Sequence, residues 1–382
     1  MRDHDIVVYG ATGFTGRLVA EYLVQQGVTR WAMAGRSRAK LEEVRDLIGA
    51  PADTPLIVAD AADPASLRTM AGSAEVVVAT VGPYQLYGAP LVAACVTAGT
   101  AYVDLCGEPA WMRQMIDAHH TAAQASGARI VFSCGFDSIP FDLGVLTLQE
   151  CARARYGHPA PRVKGRVRAM QGSFSGGTAA SLKATLAAAA RDPSILGLLA
   201  NPFALTPGFS GPHQPAGLFP EFDATLNTWV APFIMAAINT KNVHRTNFLL
   251  GHRYGTDFVY DEMMVAGLGE MGKAAAEAIA KLNPLASDKG PKPGEGPSKE
   301  ERDAGHYDLL FVGLMPDGAR FDAVVTGDRD PGYGSTSKMI AETARCLLET
   351  EGAGGIWTPG ALLGSTLRDR LQDKAGLTFT AG

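Results

Sequence analysis

The sequence offers little that would serve a disulfide scaffold, a metal centre, a membrane span or a nucleic-acid surface. Its 382 residues include five cysteines, Cys95, Cys106, Cys134, Cys151 and Cys346, odd in number and without a C-x-x-C pair. That excludes a disulfide or zinc framework and reads as reduced thiols in a cytoplasmic protein. Charged residues make up 19% and the formal net charge is −5, so no excess of base calls for nucleic acid or an anionic membrane surface. No apolar run reaches the ~20 residues of a spanning helix. The nearest, Trp229 to Ile238, is short and interrupted by Pro232, and reads as core or substrate wall. Charged residues run at once into a strand, which leaves no room for a signal peptide. Association with a membrane surface and assembly as a homodimer stay open. Familiar catalytic signatures are missing too. None of the ten tyrosines has lysine four residues on, Tyr333 and Lys338 being one residue too far apart. There is no His-Glu-x-x-His and no Gly-x-Ser-x-Gly, and His119-His120 lies in a polar helical stretch that reads as exposed.

Against these absences stands one strong signal at the start of the chain. Asp5 to Tyr9 is a β-forming run, followed by Gly10-Ala11-Thr12-Gly13-Phe14-Thr15-Gly16 and a helical pattern over Arg17 to Leu23. Three glycines at this spacing let the strand turn tightly, the backbone approach a pyrophosphate and the helix pack close to the strand. The helix N-terminus then faces the phosphates with free N–H groups. A tight turn without ligand is the plain alternative.

The first third continues as alternating strand and helix. Strands are expected at 30–34, 56–59, 76–80, 101–103 and 129–132, with helices at 39–48, from Asp63-Pro64, at 89–98, 109–125 and from Ser138 into Ala154. Short, nearly continuous apolar strands separated by helices give a doubly wound parallel α/β sheet, with ligands at the strands' C-terminal ends. After Tyr156 the pattern changes. Residues 163–170 read as a strand with one wet face, 176–190 as an Ala-rich helix, 200–228 as an irregular wall, and Asp261 to Leu282 as one long helix. Residues 284–304 form a Pro/Gly-rich loop, 306–314 and 319–326 a hairpin, and 337–349 a helix before a last one that starts at Thr358-Pro359 and ends near Lys374.

Several side chains bear on ligand choice. Where an NAD-binding fold carries an acid after its second strand, this chain has Arg36, Ser37 and Arg38. Arg36 can pair with a 2′-phosphate and stack on adenine, and Ser37 can donate a hydroxyl, which favours NADP(H). Solvated residues opening a helix are the bland alternative. Asp60 reads as an adenine contact or a turn cap. Val81, Gly82 and Pro83 pass beneath the nicotinamide half, and Cys106 and Gly107 are placed against the cofactor after the fifth strand, with small buried thiols as the default reading for Cys106 and Cys134. Substrate is expected at Phe136, Asp137 and Ser138 and at Ser175 and Thr178, although Asp-Ser-x-Pro reads first as helix capping. Tyr84 is the proton-donor candidate by position, with packing on the cofactor as its alternative.

Gly-Ala-Thr-Gly-Phe-Thr-Gly at 10–16, Gly-Pro-Tyr at 82–84, Tyr-Val-Asp-Leu-Cys-Gly-Glu at 102–108 and Cys-Gly-Phe-Asp-Ser-Ile-Pro-Phe-Asp-Leu-Gly at 134–144 resemble the saccharopine dehydrogenase-like oxidoreductases. Within them the chain is most similar to the trans-acting enoyl reductases that serve polyketide synthases. The resemblance implies an NADP-binding Rossmann domain over 1–150, an inserted α+β substrate domain over 151–334, and C-terminal helices over 335–382 returning to the first domain. It further implies reduction of a carbon–carbon double bond on a carrier-bound acyl chain. The Leu/Phe/Ala/Pro-rich stretch from Ile195 to Ile238 suits an apolar chain better than a tricarboxylate. A saccharopine-type amino-acid dehydrogenase and a non-catalytic NADP(H)-binding sensor are the alternatives.

Overall fold

The structure, a computed structural model, describes residues 2–172, 176–282 and 295–382, and the side chains among them other than those of 176–180 and 182. Its strands in chain order are β1 (His4–Tyr9), β2 (Trp31–Gly35), β3 (Leu56–Val58), β4 (Ala74–Ala79), β5 (Ala101–Asp104), β6 (Arg129–Val131), β7 (Arg162–Gln171), β8 (Glu221–Asp223), β9 (Thr228–Pro232), β10 (Val259–Gly267), β11 (His306–Leu314), β12 (Arg320–Gly327), β13 (Gly355–Trp357) and β14 (Leu377–Ala381). They form two seven-stranded sheets, ordered β13-β6-β5-β4-β1-β2-β3 and β14-β12-β11-β7-β10-β9-β8.

The first sheet is parallel throughout. Its central strands bury every side chain from Ile6 to Tyr9 and from Val76 to Ala79, because helices cover both faces. Local chemistry sets the helix starts. Ser37 Oγ accepts from the Lys40 N–H at 3.4 Å, and Asp63 Oδ1 accepts from the Ala65 N–H at 3.0 Å with Pro64 opening the helix. The sheet has one strand more than the pattern suggested: β13, from far along the chain, pairs with β6.

The second sheet is mixed. β7 and β10 are parallel and the other pairs antiparallel. Here the long helix expected over 261–282 is corrected: Val259–Gly267 is a strand, and only Gly269–Ala280 is helical. Gly267 and Gly269, at φ +121° and +58°, break the chain between them. Pairing with β7 and β9 overrides the helical preference of Glu262, Met263 and Met264. The helix Ala236–Leu249 had no amphipathic signal, since it buries Asn239, Lys241, Asn242, His244, Arg245 and Asn247.

The face of β7 expected to be wet is an ion-pair ladder. Arg166, 1% exposed, donates to Asp223 at 2.9 Å and to Asp261 at 2.7 Å, while Lys164 reaches Asp223 at 2.9 Å and Arg162 reaches Asp261. The opposite face, Val163 and Val167, lies in the same core as the helix Ile139–Tyr156. That helix is buried almost all round, with Gly144 pressed on Phe311. One continuous core therefore runs from Val8 and Val78 through Phe141 and Leu148 to Val167 and Phe311. The helix Thr336–Glu349 returns to the first sheet, whereas β14 joins the second.

Candidate active site

The C-terminal ends of the parallel strands converge on one mouth. Gly10 sits at φ +90°, and a side chain on Gly16 would collide with the Gly10 carbonyl. The turn is therefore the tight, close-packed kind that lets backbone approach a phosphate. Thr80 Oγ1 donates to the Tyr9 and Gly10 carbonyls at 3.1 and 3.3 Å, tying the glycine turn to the end of β4. Ala11 and Gly16 are buried, while Thr12, Gly13, Phe14 and Thr15 keep part of their surface in solvent. Phe14 meets Tyr333 edge-on at 5.0 Å, and the Arg17 and Arg302 guanidiniums lie 5.6 and 5.7 Å from its ring. The second half of the chain thus reaches the glycine turn.

At the end of β2, Arg36 is exposed and has no ion-pair partner among the described residues. Tyr9 is pushed up to about 12, by burial first and then by Asp60, with Arg36 opposing. Asp60 accepts from the Ala62 N–H at 2.9 Å, so the turn-cap alternative describes its side chain. Ser37 is engaged as a helix cap, as above. A cation left open beside a glycine turn fits a 2′-phosphorylated dinucleotide.

The loops after β4, β5 and β6 hold the other half. Tyr84 is 5% exposed, and its hydroxyl donates to the Ala79 carbonyl at 3.0 Å while accepting from the Leu105 N–H at 3.1 Å. Burial, with Asp104 nearby, pushes that hydroxyl well above its ordinary value. The hydroxyl expected to donate a proton is thus held here as a strut between two strand ends. Val81 and Pro83 are half-buried and Gly82 is exposed at the same mouth. Glu108 caps the turn beyond them, accepting from the Tyr84 and Gln85 N–H groups at 3.0 and 2.8 Å. Asp104 accepts from Cys106 N–H, Ser133 N–H and the Tyr102 hydroxyl, each at 3.0 Å. Burial still raises its carboxyl to about 7. Cys106 is buried with its thiol pushed well up, first by burial and then by Asp104, so it packs below the site and Gly107 alone is exposed there.

The loop after β6 separates its residues sharply. Phe136 turns into the core against Tyr307 and Phe141, with ring centroids at 4.9 and 5.4 Å, which corrects its expected place on the substrate. Ser138 does not cap with its side chain. It donates to Asn239 Oδ1 at 3.0 Å and accepts from Asn242 Nδ2 at 2.8 Å, and Asn239 donates on to Glu262 at 2.9 Å. Asp137 does face the mouth. A Cβ on Gly107 would lie 3.6 Å from Asp137 Oδ2 and 4.0 Å from Ile238 Cγ2. Ser175 lies outside the described residues. Thr178 is in the helix Gly176–Arg191, with its side chain outside them. That helix abuts the mouth, since Gln85 Nε2 donates to Thr185 Oγ1 at 3.1 Å.

Comparison with known proteins completes the picture. The sequence model of the saccharopine dehydrogenase NADP binding domain matches residues 6–131. A Mycobacterium tuberculosis (strain H37Rv) protein named as a trans-acting enoyl reductase is 41% identical, the alignment covering 97% of this chain and 96% of that one. The trans-acting enoyl reductase of Mycobacterium leprae is 38% identical over the same shares. The chain belongs to the trans-acting enoyl reductase family. It is an oxidoreductase whose cofactor is NADP(H). In fold it is similar to apo saccharopine dehydrogenase (L-Glu forming) from Saccharomyces cerevisiae, with TM-score 0.53 and 11% identity over 99% of this chain and 100% of that one.

In this member of the trans-acting enoyl reductase family, sequence reasoning reached the site's other wall only as far as Ile238, the end of the stretch read as core or substrate wall, and missed the polar residues beyond it. Ile238, Asn239 and Asn242 come from the unforeseen helix, and Glu262 from the strand misread as helix. The one signal was the density of Asn, Lys, His and Arg between Ile238 and Phe248, unusual for a solvated face with apolar neighbours at both ends. Among the described residues no helix is long and apolar enough to cross a membrane, and no cluster of metal-binding side chains occurs.

Proposed function

We propose that this protein uses NADPH to reduce a carbon–carbon double bond in an apolar acyl chain presented by a polyketide synthase. In this reading the glycine turn, Gly10 to Gly16, holds the pyrophosphate and Arg36 the 2′-phosphate. Gly82 and Gly107, both exposed and without side chains, would leave room for the nicotinamide half. The working division is a cofactor unit over 1–150, a substrate unit over 151–334 and a closing segment over 335–382.

The observation that carries the choice of substrate is the state of the arginines. Arg162, Arg166 and Arg168 are each bound to a carboxylate, Asp261, Asp223 with Asp261, and Asp308 respectively. Arg245 donates to the Leu205 and Ile356 carbonyls at 2.5 and 2.6 Å. A tricarboxylate needs guanidiniums held open for it, and these are all engaged elsewhere. Beside exposed Gly107 the nearest side chain of the neighbouring helix is instead the apolar, buried Ile238. The names of the relatives agree with this reading.

NADPH oxidation measured with enoyl thioesters of increasing chain length tests it, with saccharopine and NADP⁺ as the opposing pair. Turnover of long enoyl thioesters is expected. Turnover of saccharopine alone would replace this reading with an amino-acid dehydrogenase.

A further inference from the structure

Reducing a conjugated double bond takes a hydride and a proton, and Tyr84 is not free to give the proton. We propose that Asp137 is the proton donor, an assignment that rests on the double-bond reading above. Three observations place it. Asp137 follows β6 at the mouth, and its Oδ2 lies beside exposed Gly107. Its carboxyl makes no hydrogen bond or ion pair among the described residues, while the other mouth carboxylates are occupied: Asp104 by three donors, Glu108 by two backbone N–H groups and Asp60 by its own turn. It is half-buried, so one side stays in reach of water for the next proton.

The surroundings favour the protonated form up to neutral pH, where about half of the carboxyls carry the proton. Burial raises Asp137 to about 7. Around it, Cys106 on the β5 loop is a buried thiol, Ile238 beside Gly107 is apolar, and the hydroxyl of Ser138, next in the chain, is taken up by Asn239 and Asn242. NADPH supplies the hydride, which adds to the β carbon of the enoyl thioester. The π electrons move to the α carbon and the thioester oxygen. The Asp137 O–H bond breaks, the α C–H bond forms, and the carboxylate recovers a proton from water. The balance is enoyl thioester, NADPH and one proton in, saturated thioester and NADP⁺ out.

The test compares wild type with Asp137→Asn and Asp137→Glu. Asp137→Asn is expected to lower kcat by about 10²–10⁴-fold, the usual share of a general acid, with NADPH affinity by fluorescence titration unchanged. Wild-type kcat falls above about pH 7, and this limb is missing from the residual rate of the Asn variant. Without substrate, difference infrared spectra between about pH 6 and about pH 8 lose a protonated-carboxyl band in wild type that Asp137→Asn lacks. Asp137→Glu recovers part of the rate. An Asp137→Asn enzyme with unchanged kcat and the same alkaline limb, or one that no longer binds NADPH, overturns the donor role while leaving the double-bond reading intact. If wild type reduces no enoyl thioester, that reading falls and the donor role falls with it.

Discussion

The two sheets carry their polar groups in opposite ways. In the first, apolar strands run to their C-terminal ends, and the polar groups gather in the loops beyond, where Arg36 and Asp137 are left open. In the second, charge is built into the strands: Arg166, Asp223 and Asp261 lie on one face, and Glu262 and Tyr260 join Asn239 near the other. Open groups at a mouth can act on a ligand. Closed groups inside a sheet fix where the elements sit. Substitutions in the second sheet should therefore read out as stability, and those at the mouth as binding or rate.

The strongest way to break this contrast is Asp223→Ala. Asp223 also accepts from the Thr225 N–H at 3.0 Å, and its loss leaves Lys164 and buried Arg166 short of their counter-charge. A cost of about 3–5 kcal/mol in denaturant unfolding is expected, as for a buried pair that loses one partner. Removing Arg36, which is exposed and unpaired, should change stability by less than ~0.5 kcal/mol. If the two variants unfold alike, the contrast fails.

The same sheet should show two opposite pH dependences. Asp223 is held down to about 2 by Lys164 and Arg166 against its burial. Its contribution is complete above the ordinary aspartate range and is lost as pH falls from about 4 to about 2. Glu262 is raised to about 8, mainly by burial, with Asn239 and Tyr260 opposing. The folded state then binds a proton that the unfolded state has released, so stability falls as pH rises from about 4.5 to about 8. Melting curves of wild type should decline over that upper window. Glu262→Gln, neutral at every pH, should remove a large part of the decline, by several degrees in Tm. An unchanged slope would mean that Glu262 is ionised in the fold.

At the mouth, Arg36→Ala should weaken NADPH by about 10–100-fold, the worth of one or two charge-assisted hydrogen bonds, and leave NADH nearly unchanged. Titration with both nucleotides checks this. Equal affinity of wild type for the two would remove Arg36 from the 2′-phosphate.

What was legible in the sequence follows the same division. β1, the glycine turn and the cap at Asp63 are set by neighbours in the chain, and their local pattern was enough, whereas Ser37, read as a phosphate donor, caps its helix. β13 pairs with β6 across more than two hundred residues, and no short window contains that fact. The helix Ala236–Leu249 was invisible because its polar side chains face inward, against the periodicity on which such readings depend. Within the site, Gly10 and Arg36 were readable from type and spacing. Asp137 could be named as a candidate, but whether it caps or faces the mouth depends on Gly107 and Ile238, both distant in sequence. Phe136 and Asp137 are adjacent, yet one packs in the core and the other opens to the mouth.

The smallest effect sharpens the role of Tyr84. If its hydroxyl is a strut, Tyr84→Phe removes the donor to Ala79 and the acceptor for Leu105 while keeping the ring beside Trp111, at 5.7 Å between centroids. One buried and one partly buried backbone group then lose this partner, but the phenyl ring still fills the space. A loss of about 1–2 kcal/mol in unfolding free energy is expected. The kcat with an enoyl thioester should stay within about threefold of wild type, since less than ~0.7 kcal/mol of barrier would be at stake. Should Tyr84→Phe instead keep full stability and lose a hundredfold or more in rate, the hydroxyl would have to turn from the backbone toward the substrate during turnover. Asp137 would then be relieved of the proton. Measuring both quantities on one variant separates a group that holds the mouth together from a group that works in it.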